Sequence, residues 1–279
     1  MVGIRNRLLE DFLLIVITVV ISYGLFGARQ TNAGAAPGTS VFDQILARKA
    51  LRFGIPVAGL PVATRDQQGK IVGWVPDLGE EMAKSLGVKL DIVDTAAPSR
   101  IPFLVAGKID VSIGTVTLER AKAVSFSNIW AVDGTAAVVL KSSGITSYDQ
   151  VKGKKIAAVT GATGDLVASK RFPGNQISRF DQASTALQAV VSGQADIIFE
   201  DNTFLSLAVA ANPNLLKLPP VTREPSAFMV PLGDQKWINW LNYFLNDYYD
   251  SGVSTCGCGF QVAKKWLKTD PIRPLNFTY

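Results

Sequence analysis

The 279-residue chain contains no histidine. That absence removes every Ser-His-Asp or Cys-His nucleophile pair, every HExxH zinc site and every imidazole proton shuttle. Any general acid or base is left to Asp, Glu, Lys, Tyr or Cys. Cysteine is nearly absent too: Cys256 and Cys258 stand alone in a Cys-Gly-Cys run, too few ligands for a tetrahedral zinc site. A labile bridge, an intermolecular bridge and two free thiols in a turn are all open to them; such near neighbours make a strained disulfide, so free thiols are the expectation. Clustered charge is scarce as well. The net charge is +5 and the pI about 9.2, but Lys152-Gly153-Lys154-Lys155 and Lys264-Lys265 are short and lack interleaved aromatics. They read as solvated surface, and no nucleic-acid partner, metal or cofactor is expected. What is plentiful is core: 48% of the residues are apolar and 18% charged, so wholesale disorder is excluded.

Arg5 and Arg7 precede an uncharged stretch from Phe12 to Ala28, and small residues follow at 31–36. A basic start, an apolar segment and A-x-A-like residues make a secretory signal peptide over residues 1–35, with cleavage after Ala33 or Ala35. The stretch also reaches the lower limit for a membrane span, so an uncleaved anchor through residues 12–28 is the alternative. Both place the rest of the chain outside the cytoplasm.

Strands and helices then alternate. Leu51–Ile55 reads as a strand. A helix is expected from Asp77, with Glu80 completing a capping-box-like pair and Gly87 ending it. Val88–Ile92 is a strand, Ile101–Ala106 a helix and Asp110–Ile113 a strand. The rhythm restarts after Lys141 with a strand at Ile156–Val159, a helix at Asp165–Arg171, a helix ending at Gly193 and a strand at Ala195–Phe199. A last long helix runs near Trp237–Tyr249. Two such runs imply two α/β lobes, each a mostly parallel sheet flanked by helices, with a ligand cleft between them.

The loop Thr160-Gly161-Ala162-Thr163-Gly164 imitates a dinucleotide fingerprint, and Tyr148-x-x-x-Lys152 has the spacing of a dehydrogenase catalytic pair. Their order is reversed, however, and Val167 stands where a third glycine belongs. The loop is better suited to holding one carboxylate on backbone N–H groups at a helix start.

Ten fragments in order carry a family resemblance. They include Leu51-Arg52-Phe53-Gly54, Gly69-Lys70-Ile71-Val72-Gly73, Ala106-Gly107-Lys108-Ile109-Asp110, Glu119-Arg120-Ala121-Lys122, Ser192-Gly193-Gln194-Ala195-Asp196 and Glu200-Asp201-Asn202. The chain resembles the extracytoplasmic amino-acid-binding proteins of ABC importers, solute-binding protein family 3. The resemblance implies a type II periplasmic-binding-protein fold, with lobe one at 41–138 plus 225–279 and lobe two at 139–224. The crossings would fall near Ala136–Val138 and Ala227–Met229. It also implies a monomer that captures a free amino acid, polar or acidic by preference, and delivers it to ABC permease membrane subunits.

A dry α-amino acid needs a bidentate cation for its carboxylate and an anion for its ammonium. Arg120 matches the family arginine and Asp201 the family aspartate; otherwise they would be a surface arginine pairing with Glu119 and a strand-end cap. Thr163 matches the second-lobe carboxylate contact and is nearly as good a helix N-cap. Thr115 and Thr117 lie where the family offers hydroxyls, but the segment from Asp110 to Arg120 is two residues shorter than usual, so their division of labour is open. Arg100 resembles the side-chain-reading arginine of the acidic-ligand branch, with a carbonyl-bonded helix-start arginine as the alternative. Trp74 and Trp130 stand where the family has aromatics and serve as cleft wall or core. A rival is a secreted cyclohexadienyl dehydratase on the same scaffold, with Glu200 as its acid; a solvent-facing glutamate is the simpler reading of that residue.

Overall fold

The computed structural model describes residues 39–267; the expected signal or anchor at 1–35 lies outside them. Among the described residues no helix is long and apolar enough to cross a membrane.

The first half builds α1 (Val41–Arg48), β1 (Ala50–Ile55), a small hairpin of β2 (Thr64–Arg65) and β3 (Ile71–Val72), and α2 (Trp74–Leu86). β4 (Lys89–Asp94), α3 (Arg100–Val105), β5 (Val111–Thr115) and β6 (Val124–Asp133) follow. The second half holds β7 (Thr135–Leu140), β8 (Ile156–Val159), α4 (Thr163–Arg171), β9 (Ile177–Phe180), α5 (Ala183–Val191), β10 (Ile197–Asp201), α6 (Asn202–Ala211) and β11 (Leu215–Leu218). The chain then returns through β12 (Glu224–Pro231), α7 (Gln235–Asn246) and α8 (Gly259–Leu267).

These elements form two five-stranded sheets, ordered β4-β1-β5-β12-β6 and β11-β7-β10-β8-β9. Both are mixed. β1 runs parallel to β4 and β5, but β12 is antiparallel to β5 and β6. β8 is parallel to β9 and β10, and β7 is antiparallel to β10 and β11. The antiparallel strands are those beside the passages between the sheets. The chain leaves the first sheet at Asp133 and enters the second at Thr135, and it returns through 219–223 to Glu224. Both passages precede Ala136–Val138 and Ala227–Met229, where the sequence reading put them.

Alternating residues explain why the inner strands of the second sheet look apolar throughout. Ala136, Val138 and Ile198 pack into one cluster, whereas Ala137, Val139, Ile197 and Phe199 pack into another on the opposite face. Helices cover both faces, so neither can be polar. The first lobe concentrates its bulk around Phe53, Leu78, Met82, Phe228, Trp237 and Tyr248. Each such side chain contributes about 1.5–3 kcal/mol by leaving water.

The fragments that end in Asp110 and Asp196 share one physical role. Asp110 accepts the backbone N–H of Arg52 at 2.7 Å and the Arg52 guanidinium at 2.7 Å. Asp196 accepts the backbone N–H of Lys155 at 2.7 Å. Each carboxylate satisfies a donor at the start of a neighbouring strand, β1 or β8, and fixes where that strand begins.

Two expectations need correction. α2 begins at Trp74 after Gly73, with no side-chain cap; Asp77 sits in its first turn and instead accepts from Lys265 and Trp266. The cysteines are joined: Cys256 and Cys258 form a disulfide with Cα atoms 5.0 Å apart. Gly257 between them takes the left-handed φ of 56°, which folds the chain back and brings the pair within ordinary bridging range.

Candidate functional site

A cleft of about 450 Å³ lies between the lobes. β5 and α3 bring Thr115 and Arg100 to it, the 3₁₀ turn Arg120–Lys122 brings Arg120, and α4 brings Thr163. Glu200 and Asp201 arrive on the last two residues of β10. Trp74 and Trp130 also line it, with Leu60, Phe204, Phe260 and Leu267. Thr117 does not. Its hydroxyl accepts the Arg120 backbone N–H at 3.2 Å and holds the turn that carries that arginine.

Arg120 is half-buried and donates to the Thr115 carbonyl at 2.9 Å. Its neighbour Glu119 pairs with Lys122 at the surface instead. Thr115 and Thr163 meet across the cleft, hydroxyl to hydroxyl, at 3.2 Å. Thr163 is the first residue of α4, after Ala162, and caps nothing. Gly164 next to it lies so near the Phe199 carbonyl that a Cβ would collide there. This absence of a side chain seats the positive end of α4 on the strand that carries Glu200 and Asp201.

Asp201 occupies the N-cap position of α6 but makes no cap bond. Asp133 makes it instead, accepting the Thr203 N–H at 3.2 Å and bonding Asn202 at 3.5 Å. Capping is thus delegated to the last residue of β6, and the Asp201 carboxylate is left to the cleft.

Arg100 donates to the Ile113 carbonyl at 2.8 Å, as a carbonyl-bonded helix-start arginine would, and it also lines the cleft. It is not a spare cation in the cleft. Asp133, Glu200, Asp201 and Glu224 share the cavity with Arg100 and Arg120, so carboxyls outnumber guanidiniums. Glu200 is buried, not solvent-facing, and its Oε2 has no hydrogen-bond partner. Trp130 is 4% exposed, meets Trp74 edge-on and stacks on Phe228; it is core and cleft wall together.

Burial dominates the site's electrostatics. It pushes the Asp201 carboxyl up to about 7, with Asp133 and Glu224 adding repulsion and the two arginines opposing. Glu200 is raised well above the usual carboxylate range by burial and by Asp201 beside it. Burial lowers Arg100 to about 10, helped by Arg120, and also lowers Arg120. A cavity with charges this poorly solvated gains most from a ligand that brings both signs.

Sequence reasoning missed Asp133 and Glu224. Each stands beside a passage between the sheets, and they face each other in the β6–β12 register. Nothing local marks them, because only the pairing of two distant strands brings them together.

Two lobes closing on a charged cleft define a binding protein of the periplasmic type. Residues 51–268 match the model of the bacterial extracellular solute-binding proteins, family 3, and the chain belongs to that family. It is 29% identical over 269 residues to the ABC transporter glutamine-binding protein GlnH of Bacillus subtilis, covering 92% of this chain and 96% of that one. Among solved structures, a mutant of ArgBP from T. maritima superposes with a TM-score of 0.76 at 32% identity, covering 82% of this chain and all of that one. An ancestral amino acid-binding protein, a precursor of cyclohexadienyl dehydratase, gives 0.75 at 31% identity with the same coverage. The chain is thus a bacterial extracellular solute-binding protein of family 3, and the curated relatives it resembles are amino-acid-binding proteins.

Proposed function

We propose that the protein captures a free α-amino acid with a neutral polar side chain and delivers it to an ABC permease. The observation that carries this reading is the opposition of Arg120 on the first lobe to Asp201 on the second, in one cleft of about 450 Å³. Arg120 takes the ligand carboxylate, joined by the Thr115 and Thr163 hydroxyls and the positive end of α4. Asp201 takes the ammonium, which restores the charge that burial suppresses. Thr117 acts indirectly, by holding Arg120. Trp74 and Trp130 wall the side-chain end, and Arg100 meets the side chain with a donor already shared with Ile113.

The acidic half of the expected preference loses its support once Arg100 is outnumbered by carboxyls. An anionic side chain would add a charge to a cavity that already solvates its charges poorly, whereas an amide meets both donors and acceptors without adding charge. GlnH, similar over nearly its whole length, is named for such a ligand. Residues 1–35 act as a secretory signal, or as an anchor through 12–28, and the mature chain works as a monomer. The lobes divide at the two passages, between Asp133 and Thr135 and again at 219–223, a few residues before the boundaries at 138/139 and 224/225 read from the sequence. A thermal-shift screen of the amino acids tests the reading, since a ligand that binds only the folded state raises the melting temperature. The largest shift is expected with glutamine or asparagine. No shift with any amino acid would overturn the proposal.

A further inference from the structure

Glu224 is the first residue of β12, where the chain re-enters the first sheet. It is 5% exposed, and its two carboxylate oxygens are used for different purposes. Oε1 accepts the hydroxyls of Thr135 and Thr222, both at 2.6 Å. Thr135 opens the strand that leaves the first sheet, and Thr222 lies in the segment that returns to it. Thr222 also accepts the Thr135 backbone N–H at 2.7 Å, stitching the two passages to each other. Oε2 accepts the Thr115 hydroxyl at 3.3 Å. A hydroxyl has one proton, so with that proton given to Glu224, Thr115 can only accept from Thr163 in the contact between the lobes.

We propose that Glu224 is a positioning residue that ties both hinge strands to the Thr115–Thr163 contact, so that the hinge geometry and the closed cleft stabilise each other. One carboxylate spans the distance from the hinge hydroxyls to the cleft hydroxyl, and it sets the direction of the hydroxyl protons along the line. When the lobes separate, Thr163 leaves Thr115, and the line of hydroxyls from the hinge through Glu224 then ends at Thr115 within the first lobe. Hinge-bending proteins exchange between open and closed forms, and a tie made fully only in the closed form shifts that population.

Glu224→Asp separates this role from its alternatives. It keeps the charge beside Arg120 but shortens the reach by one methylene, so either the hinge or Thr115 loses its partner. Thr135→Val removes one hinge hydroxyl and touches no part of the cleft. Nitroxides at Lys84→Cys and Lys170→Cys, one on each lobe, report the interlobe distance in the ligand-free full chain by double electron–electron resonance. The native cysteines, being bridged, stay unlabelled. The closed population should fall severalfold in Glu224→Asp and in the same direction, by less, in Thr135→Val. With L-glutamine as probe, affinity should fall about tenfold in Glu224→Asp, mainly through faster dissociation.

A role in charge alone would be rescued by the aspartate, and a role in packing alone would lower the melting temperature without moving the distances. A wild-type distance distribution in Glu224→Asp would overturn the proposal. Should that variant fail to fold, an unchanged distribution in Thr135→Val would do the same. Only the ligand arm rests on the amino-acid reading: distances that shift while L-glutamine binds no variant, wild type included, would count against that ligand and uphold the tie.

Discussion

At the scale of single residues, the proposed recognition rests on Arg120 and Asp201, which line one cleft. Arg120→Ala should abolish amino-acid binding while the far-ultraviolet circular dichroism stays that of the wild type. Breaking one side of a desolvated ion pair costs about 3–5 kcal/mol, more than two decades of affinity; calorimetry with near wild-type affinity would refute the assignment. Asp201→Asn should weaken amino acids strongly and their deaminated analogues little, because shape and one acceptor remain while the charge is lost. Equal losses for both ligand types would reduce Asp201 to a residue that shapes the lobe.

The raised Asp201 carboxyl adds a pH signature. In the free cleft it titrates near 7, and an arriving ammonium favours its ionised form. Binding below that pH therefore expels a proton, so affinity should fall as pH drops from 7, approaching about tenfold per unit, and level off above 8. Dissociation constants measured from pH 5.5 to 8.5 check this. Asp201→Asn should flatten the profile.

At the scale of elements, α8 shows how a distant segment shapes the cleft. Phe260 and Leu267 near its two ends line the cavity. The helix is held to α2 by Lys265 and Trp266, which donate to the same Asp77 oxygen at 2.9 and 2.8 Å. At its start, Gly259 packs against the rings of Tyr248 and Tyr249. Upstream, the Cys256 N–H reaches Glu81 at 3.1 Å. Asp77→Ala removes an acceptor that is one-third exposed, so solvent replaces part of the loss. A cost of about 1–2 kcal/mol is expected, a fall of roughly 2–8 °C in melting temperature. Ligand affinity should fall with it, because the wall carrying Phe260 and Leu267 loosens. A melting curve unchanged from wild type would show that α8 is held by packing alone.

At the scale of the whole molecule, the buried carboxyls set an unusual dependence of stability on pH. Burial raises Glu200, Asp201 and Asp133 above their unfolded values near 4. Between about pH 4 and 7 the folded chain therefore binds more protons than the unfolded one, and its stability falls as pH rises. Asp165 works the other way: with Arg179, Gly161 and Ser169 as partners it is lowered, so its contribution is lost as pH falls below about 4. Asp247, lowered to about 2 by Ser251 and backbone donors, acts in the same direction. The ligand-free protein should be most stable near pH 4–5 and melt progressively lower toward neutrality, with Glu200→Gln reducing the slope. Melting temperatures that rise steadily from pH 5 to 8 would show that these groups are better solvated than their burial implies.

The sequence alone determined the class of this protein and the identity of its principal charges. Strand and helix periodicity is local, so two α/β runs were legible from the positions of Phe53, Leu78, Ile156 and Ile198. Arg120, Asp201, Thr115, Thr163, Arg100 and both tryptophans were named from fragments in order, and all of them line the cleft. Boundaries were less legible: α2 starts at Trp74 because the chain turns at Gly73, not because Asp77 caps it. The sense of the strands at the two passages, the Cys256–Cys258 bridge and the place of Thr117 behind Arg120 were decided by tertiary structure. So was the balance of charge. Glu200 looks like a surface glutamate until β10 is seen between β7 and β8, and Glu224 and Asp133 have no local mark until β6 pairs with β12. Residue type and spacing fix which charges exist. Which of them share one low-dielectric cavity depends on contacts between strands some ninety residues apart, and no local pattern encodes those.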